Sequence, residues 1–172
     1  MPYLPPREWY ATLPTAHVSA GALLTDARDR VLLVKPNYRP YWQIPGGAMD
    51  AGEPPHRIAE REVREELGLR ISARRLLVVD VVPPNDDMPR PMLHFTFDGG
   101  PAADPAAIRL GEDELDAFGF FTWAEAGARL APALAPRVPA ARRARERNET
   151  VYLPAAPCPT GGTFDMQGFD HG

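Results

Sequence analysis

Glu60, Glu62, Glu65 and Glu66 crowd into one short run, EREVREELG, together with Arg61 and Arg64. Like charges one turn apart on a helix repel by roughly 0.2–0.5 kcal/mol per pair. Either the carboxylates face solvent and balance nearby arginines, or they wait for a cation. At about 100° per residue, Glu62, Glu65 and Glu66 share a stripe about 100° wide. Ala59, Val63 and Leu67 form the adjoining apolar face. Arg57, Glu60 and Arg64 fall on the solvent side, and Arg61 lies beside Glu65. A solvated face suits Glu60, with Arg64 as an i,i+4 partner. It suits the other three badly, because their stripe borders the core and buried carboxylates are costly unless neutralised. Magnesium or manganese, hard cations that prefer oxygen ligands, would neutralise them. The helix pattern alone leaves both options open.

The elements that must hold this cluster can be read around it. Pro54 and Pro55 suit a first helical turn, and Gly68 suits a left-handed C-terminal cap, so a helix is expected from there to Leu67. Before it, Val18–Thr25 and Arg30–Lys35 read as strands joined by a turn at DARD. YWQIPGG reads as a short extended piece stopped by Pro45-Gly46-Gly47. After it, RISARRLLVVDVVPP reads as one or two strands, PMLHFTFDGG as another and AFGFFTW as a further one. AEAGARLAPAL reads as a short helix and PAARRARERN as a second, arginine-rich one with a solvated face. Strands interrupted by one central helix and followed by late helices imply an α/β sheet covered on both faces.

The totals narrow the class. The chain has 172 residues, 44% hydrophobic and 24% charged, with a formal net charge of −4. This fits one domain, expected to have its core at about 15–150 and a C-terminal tail over 151–172. The net charge gives no bias toward nucleic acid or an anionic membrane. The single cysteine, Cys158, excludes a disulfide framework and a cysteine-based zinc cluster. His17, His56, His94 and His171 lack metal-ligand spacing. No run suits a signal peptide or a membrane span, so a cytoplasmic protein is expected.

From Gly47 the spacing is Gly47, five residues, Glu53, seven residues, Arg61-Glu62, an aliphatic Val63, one residue, Glu65-Glu66, one residue, Gly68 and an aliphatic Leu69. This resembles the Nudix box of the Nudix hydrolases at every fixed position. RVLLVKPNYRPYWQIPGG and FGFFTWAEA resemble flanking parts of the same fold, so the similarity runs from about Thr15 to Leu130. The resemblance implies a Nudix-type α/β/α sandwich with a mixed sheet and a loop-helix-loop. It implies hydrolysis of a nucleoside diphosphate derivative with Mg2+, or Mn2+ in its place. Carried over, Glu62, Glu65 and Glu66 are metal ligands, joined by the carbonyl of Gly46. Arg61 orients a carboxylate, with Glu53 as partner, while Gly47 and Gly68 are structural.

Other roles are less sharply marked. The resemblance implies a general base drawn either from the box or from a later loop, where GEDELD offers Glu112 and Glu114. Lys35, Tyr38 and Arg39 are candidate substrate contacts, whereas Trp42, Phe95, Phe97 and Phe120 read as core. Arg137, Arg142, Arg143, Arg145 and Arg147 read as a solvated helix face. Pro83 and Pro84 lie where ADP-ribose-cleaving relatives often carry a proline, but 21 prolines make that a weak marker. A nucleoside triphosphate, oxidised or not, is the other substrate option. Two other classes fit the sequence less well: a catalytically silent binding module, which would usually have lost box glutamates, and an isoprenyl diphosphate isomerase, which needs a cysteine better placed than Cys158. The segment PREWYATLP could serve a homodimer interface.

Overall fold

The computed structural model describes residues 4–101, 105–111 and 113–154. Glu112, Cys158, His171 and the rest of the segment 155–172 lie outside the described residues. In chain order the elements are α1 (Pro6–Thr12), β1 (His17–Thr25), β2 (Val31–Pro36), β3 (Gly46–Ala48), α2 (Pro55–Leu67), β4 (Leu76–Val82) and β5 (Met92–Pro101). A short 3-10 turn at Pro105–Ala107 is followed by β6 (Leu115–Phe121), α3 (Trp123–Arg129), α4 (Arg137–Arg147) and β7 (Val151–Leu153).

The seven strands form one mixed sheet in the order β6-β2-β1-β5-β4-β7, with β3 paired antiparallel to β1. Strand β1 runs parallel to β5 and antiparallel to β2. It is covered on both faces, which explains its nearly unbroken small and apolar run, SAGALL. Ala20, Ala22 and Leu24 face α2 and meet Ile58, Ala59, Val63 and Leu67 in one core layer. Leu23, Val31 and Leu33 face the other way and pack with Ala126, Val138, Ala141 and Ala144 of α3 and α4. The result is the expected α/β/α sandwich. No helix among the described residues is long and apolar enough to cross a membrane.

Helix α2 begins at Pro55 after an extended Pro54, and Gly68 ends it with φ 67° while its N–H donates to Arg64 O. Helix α3 starts on a reciprocal cap, in which Thr122 accepts from Glu125 N–H and the Glu125 carboxylate accepts from Thr122 N–H. RISARRLLVVDVVPP yields a single strand, β4, and YWQIPGG forms only one bridge, Val34 to Gln43, before β3. Trp42, Phe95, Phe97 and Phe120 pack against the two core layers.

The structure corrects three expectations and adds one element, α1, for which the sequence carries no helical signal. The C-terminal tail does not begin at 151: Val151–Leu153 form β7, parallel to β4, because Val151 is buried against the second core layer. Glu60 does not pair with Arg64; Arg57 Nη1 donates to one of its oxygens at 2.7 Å and Ala73 N–H to the other at 3.0 Å. The chain returning past α2 draws the carboxylate toward the helix N-terminal side. Nor do the α4 arginines form one solvated face. Arg137 is buried and donates to Asp80 Oδ2 at 2.7 Å, and Arg145 donates to Asp98 Oδ1 at 2.7 Å, each meeting a sheet carboxylate. Only Arg142 and Arg143 make exposed pairs, with Glu146 and Glu149.

Candidate active site

The pairing of β3 with β1 lays Gly46 opposite Gly21 and Gly47 opposite Ala20. A Cβ on Gly46 would strike Ala20 O and the Gly21 backbone. One on Gly47 would strike the Glu62 carboxylate. Both glycines are therefore needed for space: the first lets the loop lie on β1, the second lets α2 bring Glu62 against it.

The apolar side of α2 docks on the sheet, and its rotation fixes where the carboxylates point. Glu66 is buried at 7% exposure, Glu62 is partly covered and Glu65 is exposed. Glu66 Oε2 accepts from Gly46 N–H at 3.0 Å, which ties the helix to the glycine loop, and Gln43 Nε2 approaches Oε1 at 3.5 Å. Burial, and then the charges of Glu62 and Glu114, push the Glu66 carboxyl up to about 8, against the Gly46 and Gln43 donors. Burial also raises Glu62, reinforced by Glu65 and Glu114 and opposed by Arg61.

Arg61 is the hub of the cluster. Its Nε and Nη2 grip Glu53, with Nη2 to Oε2 at 3.0 Å, and Nη2 also donates to Ala48 O at 2.9 Å. Its Nη1 donates to Glu62 Oε1 at 2.8 Å and Glu65 Oε2 at 3.0 Å. These carboxylates hold the guanidinium still more firmly protonated, and Arg61 in turn keeps Glu53 below the usual carboxylate range. One side chain thus binds the loop carbonyl, the loop glutamate and two helix glutamates.

Glu62, Glu65, Glu66 and Arg61 line one wall of a cleft of about 360 Å³. Gly111, Asp113, Glu114 and Leu115 line the other. Of the two loop acids singled out in the sequence, Glu114 faces the box carboxylates, and Glu112 lies outside the described residues. Gly111, Asp113 and Gln43 carried no sequence signal, because their roles arise from contacts with distant segments. Lys35, Tyr38 and Arg39 do not line the cleft. Lys35 Nζ is turned onto its own loop, donating to Pro36 O at 2.9 Å and to Arg39 O. Tyr38 is exposed beneath the Arg39 guanidinium.

The donor set is all oxygen and strongly acidic, which suits Mg2+ or Mn2+. Among the described residues, no three carboxylates, imidazoles or thiols converge as a ready-made cage. The reason is visible: Arg61 Nη1 occupies oxygens of Glu62 and Glu65, and Glu66 is drawn back to Gly46 N–H. Closing such a cage requires small turns of these side chains away from their present donors.

A family model, the NUDIX domain, matches residues 15–144, about three quarters of the chain. An ADP-ribose pyrophosphatase of Mycobacterium tuberculosis is 51% identical over 47 residues, 26% of this chain and 23% of that protein. An RNA pyrophosphohydrolase of Rhodospirillum rubrum is 43% identical over 51 residues, 29% of this chain and 31% of that protein. The matches thus span less than a third of these curated relatives. Among solved structures, a MutT protein from Methanosarcina mazei Go1 superposes with a TM-score of 0.65 at 18% identity, covering 77% of this chain and 97% of its own, a likeness of fold. With its box intact and the model matched across both core layers, the chain belongs to the NUDIX domain family.

Proposed function

We propose that the chain hydrolyses a phosphoanhydride bond in a nucleoside diphosphate derivative, with Mg2+ as cofactor and Mn2+ able to replace it. The observation that carries this is the convergence of the buried Glu66 with Glu62, Glu65 and, from the facing loop, Glu114 on one cleft open to solvent. Buried acidity of that kind attracts a divalent cation and, with it, a polyanion that the carboxylates alone would repel. When bound, the cation neutralises diphosphate oxygens and acidifies a water.

The protein's part is positioning. Glu62, Glu65, Glu66 and the Gly46 carbonyl would hold the cation. Arg61 fixes the glycine loop against α2 through Ala48 O and Glu53. From the opposite wall, a carboxylate oxygen of Glu114 would accept the proton of the attacking water, opposite the helix that would hold the cation. Tyr38 and Arg39, outside the cleft, would meet the distal part of the substrate. Lys35, committed to loop carbonyls, would steady that loop.

For the substrate we favour ADP-ribose or a nucleotide sugar over a nucleoside triphosphate. The likeness to the M. tuberculosis ADP-ribose pyrophosphatase supports this choice. The exposed Trp9 and Tyr10 of α1 support a homodimer. A Mg2+-dependent hydrolysis screen with chromatographic product identification tests the proposal, with ADP-ribose, nucleotide sugars and canonical, oxidised and methylated triphosphates side by side. AMP plus ribose phosphate from ADP-ribose is the expected result. Nucleoside monophosphate plus pyrophosphate would move the enzyme to the triphosphate class. No turnover across the panel, with Mg2+ bound, would reject hydrolysis of these substrates.

A further inference from the structure

Glu114 lies in a loop, yet its backbone is held as firmly as a strand. Two peptide planes flank its Cα, and each is pinned at both ends. In the preceding plane, Asn37 Nδ2 donates to Asp113 O at 3.0 Å and Glu114 N–H donates to Gly111 O at 3.3 Å. In the following plane, Asn37 N–H donates to Glu114 O at 3.0 Å and Leu115 N–H donates to Gly111 O at 3.1 Å. Fixing both planes fixes φ and ψ of Glu114 and hence the direction of its Cα–Cβ bond.

The two residues that do the pinning are themselves anchored. Gly111 N–H donates to Glu66 O at 2.9 Å, and a Cβ on Gly111 would come within 2.8 Å of Glu65 O. It is thus seated on the last turn of α2, beside the box glutamates. Asn37 follows β2 directly, where Pro36 pairs with Leu115 beyond a bulge in the β2–β6 ladder. Its backbone bond therefore prolongs that ladder by one residue, and its side chain adds a contact the ladder alone would not make. Of the four bonds, only that from Asn37 Nδ2 comes from a side chain. It is the one whose strength the residue type decides.

We propose that Asn37 is a positioning residue for Glu114, holding the Asp113–Glu114 peptide so that the carboxylate faces Glu62 and Glu66 across the cleft. This rests on the assignment of Glu114 as the proton acceptor. Without the amide donor, the loop keeps its backbone bonds and the protein keeps its fold. The carboxylate then samples orientations that do not meet the water, and the loss falls on turnover rather than on binding.

The test compares Asn37→Ala and Asn37→Asp with the wild type, and repeats Asn37→Ala in a Glu114→Gln background. Asn37→Asp is nearly isosteric but offers the Asp113 carbonyl no amide donor. Each single change should lower kcat by about five- to tenfold, the rate equivalent of one hydrogen bond, with KM shifted less than twofold. Hydrogen exchange at the Glu114 and Leu115 amides should quicken in both, with the melting temperature little changed. In the Glu114→Gln background, Asn37→Ala should cost no further turnover. An equal fold-loss in both backgrounds, unchanged exchange over residues 111–115, or a rise in KM at constant kcat would each overturn the proposal. Full activity of Glu114→Gln alone would instead reject the proton-acceptor assignment on which it rests.

Discussion

Replacing Glu66 by Gln should make the cation-free protein more stable at alkaline pH while abolishing its function. In the fold the Glu66 carboxyl is pushed up to about 8 from an ordinary 4.5, first by burial and then by Glu62. The folded state then holds a proton that the unfolded chain has released, so stability is full below about pH 4.5 and falls as pH rises toward 8. Each pH unit in that window costs about 1.4 kcal/mol, so the wild type loses on the order of 3–5 kcal/mol by pH 8. Gln keeps the size of the side chain and an oxygen for the Gly46 N–H but has nothing to ionise. At about 2–4 °C per kcal/mol for a chain of this length, the variant should melt roughly 6–20 °C above the wild type at pH 8 in EDTA. The two should nearly coincide at pH 5. Added Mg2+ should close the gap at pH 8 by stabilising only the wild type, through binding to the native state. Thermal melts by circular dichroism at the two pH values, with and without Mg2+, make the measurement. Parallel pH profiles for the two proteins would refute the premise that Glu66 carries a buried, unfavourable charge.

Other substitutions probe separate parts of the construction. Gly47→Ala should displace the Glu62 carboxylate and weaken Mg2+ affinity at least tenfold by calorimetric titration, a shift of about 1.4 kcal/mol. Glu114→Gln should lower kcat by roughly 10²–10⁴-fold with Mg2+ affinity nearly kept, as expected for removing a general base. Arg137→Ala should leave Asp80 buried and unpaired and destabilise the fold by about 3–5 kcal/mol in urea titrations. Its exposed helix neighbour Arg142→Ala should stay within about 0.5 kcal/mol of the wild type.

Helix α2 was legible because every level of its sequence agrees: prolines at its start, a glycine at its end and apolar residues at helical spacing between. The cover over Glu62 and Glu66 followed from the same geometry, whereas Glu65, expected on the covered stripe, is half exposed, and Glu60, expected in solvent, is partly covered by the chain at Ala73. What escaped had no periodic signal to show. Helix α1 buries none of its residues, so no face marks it. Strand β7 is three residues at a sheet edge, too short for alternation to register. Arg137 and Arg145 look like their exposed neighbours until the sheet brings Asp80 and Asp98 beneath them. Asn37 and Asp113 are 76 positions apart and meet only once β2 and β6 have paired. Local pattern thus disclosed the carboxylates of the site, while the residues that hold them in place depended on topology.

Arg61 also bears on the order of assembly. By spanning Ala48 O, Glu53, Glu62 and Glu65, it acts as an internal counter-ion for the very carboxylates that repel one another. The glycine loop and the helix can therefore close on each other without a metal. On the proposed function, loading the site would exchange one positive partner for another within a finished protein, and the affinity would reflect the cation's advantage over a guanidinium, not its advantage over water.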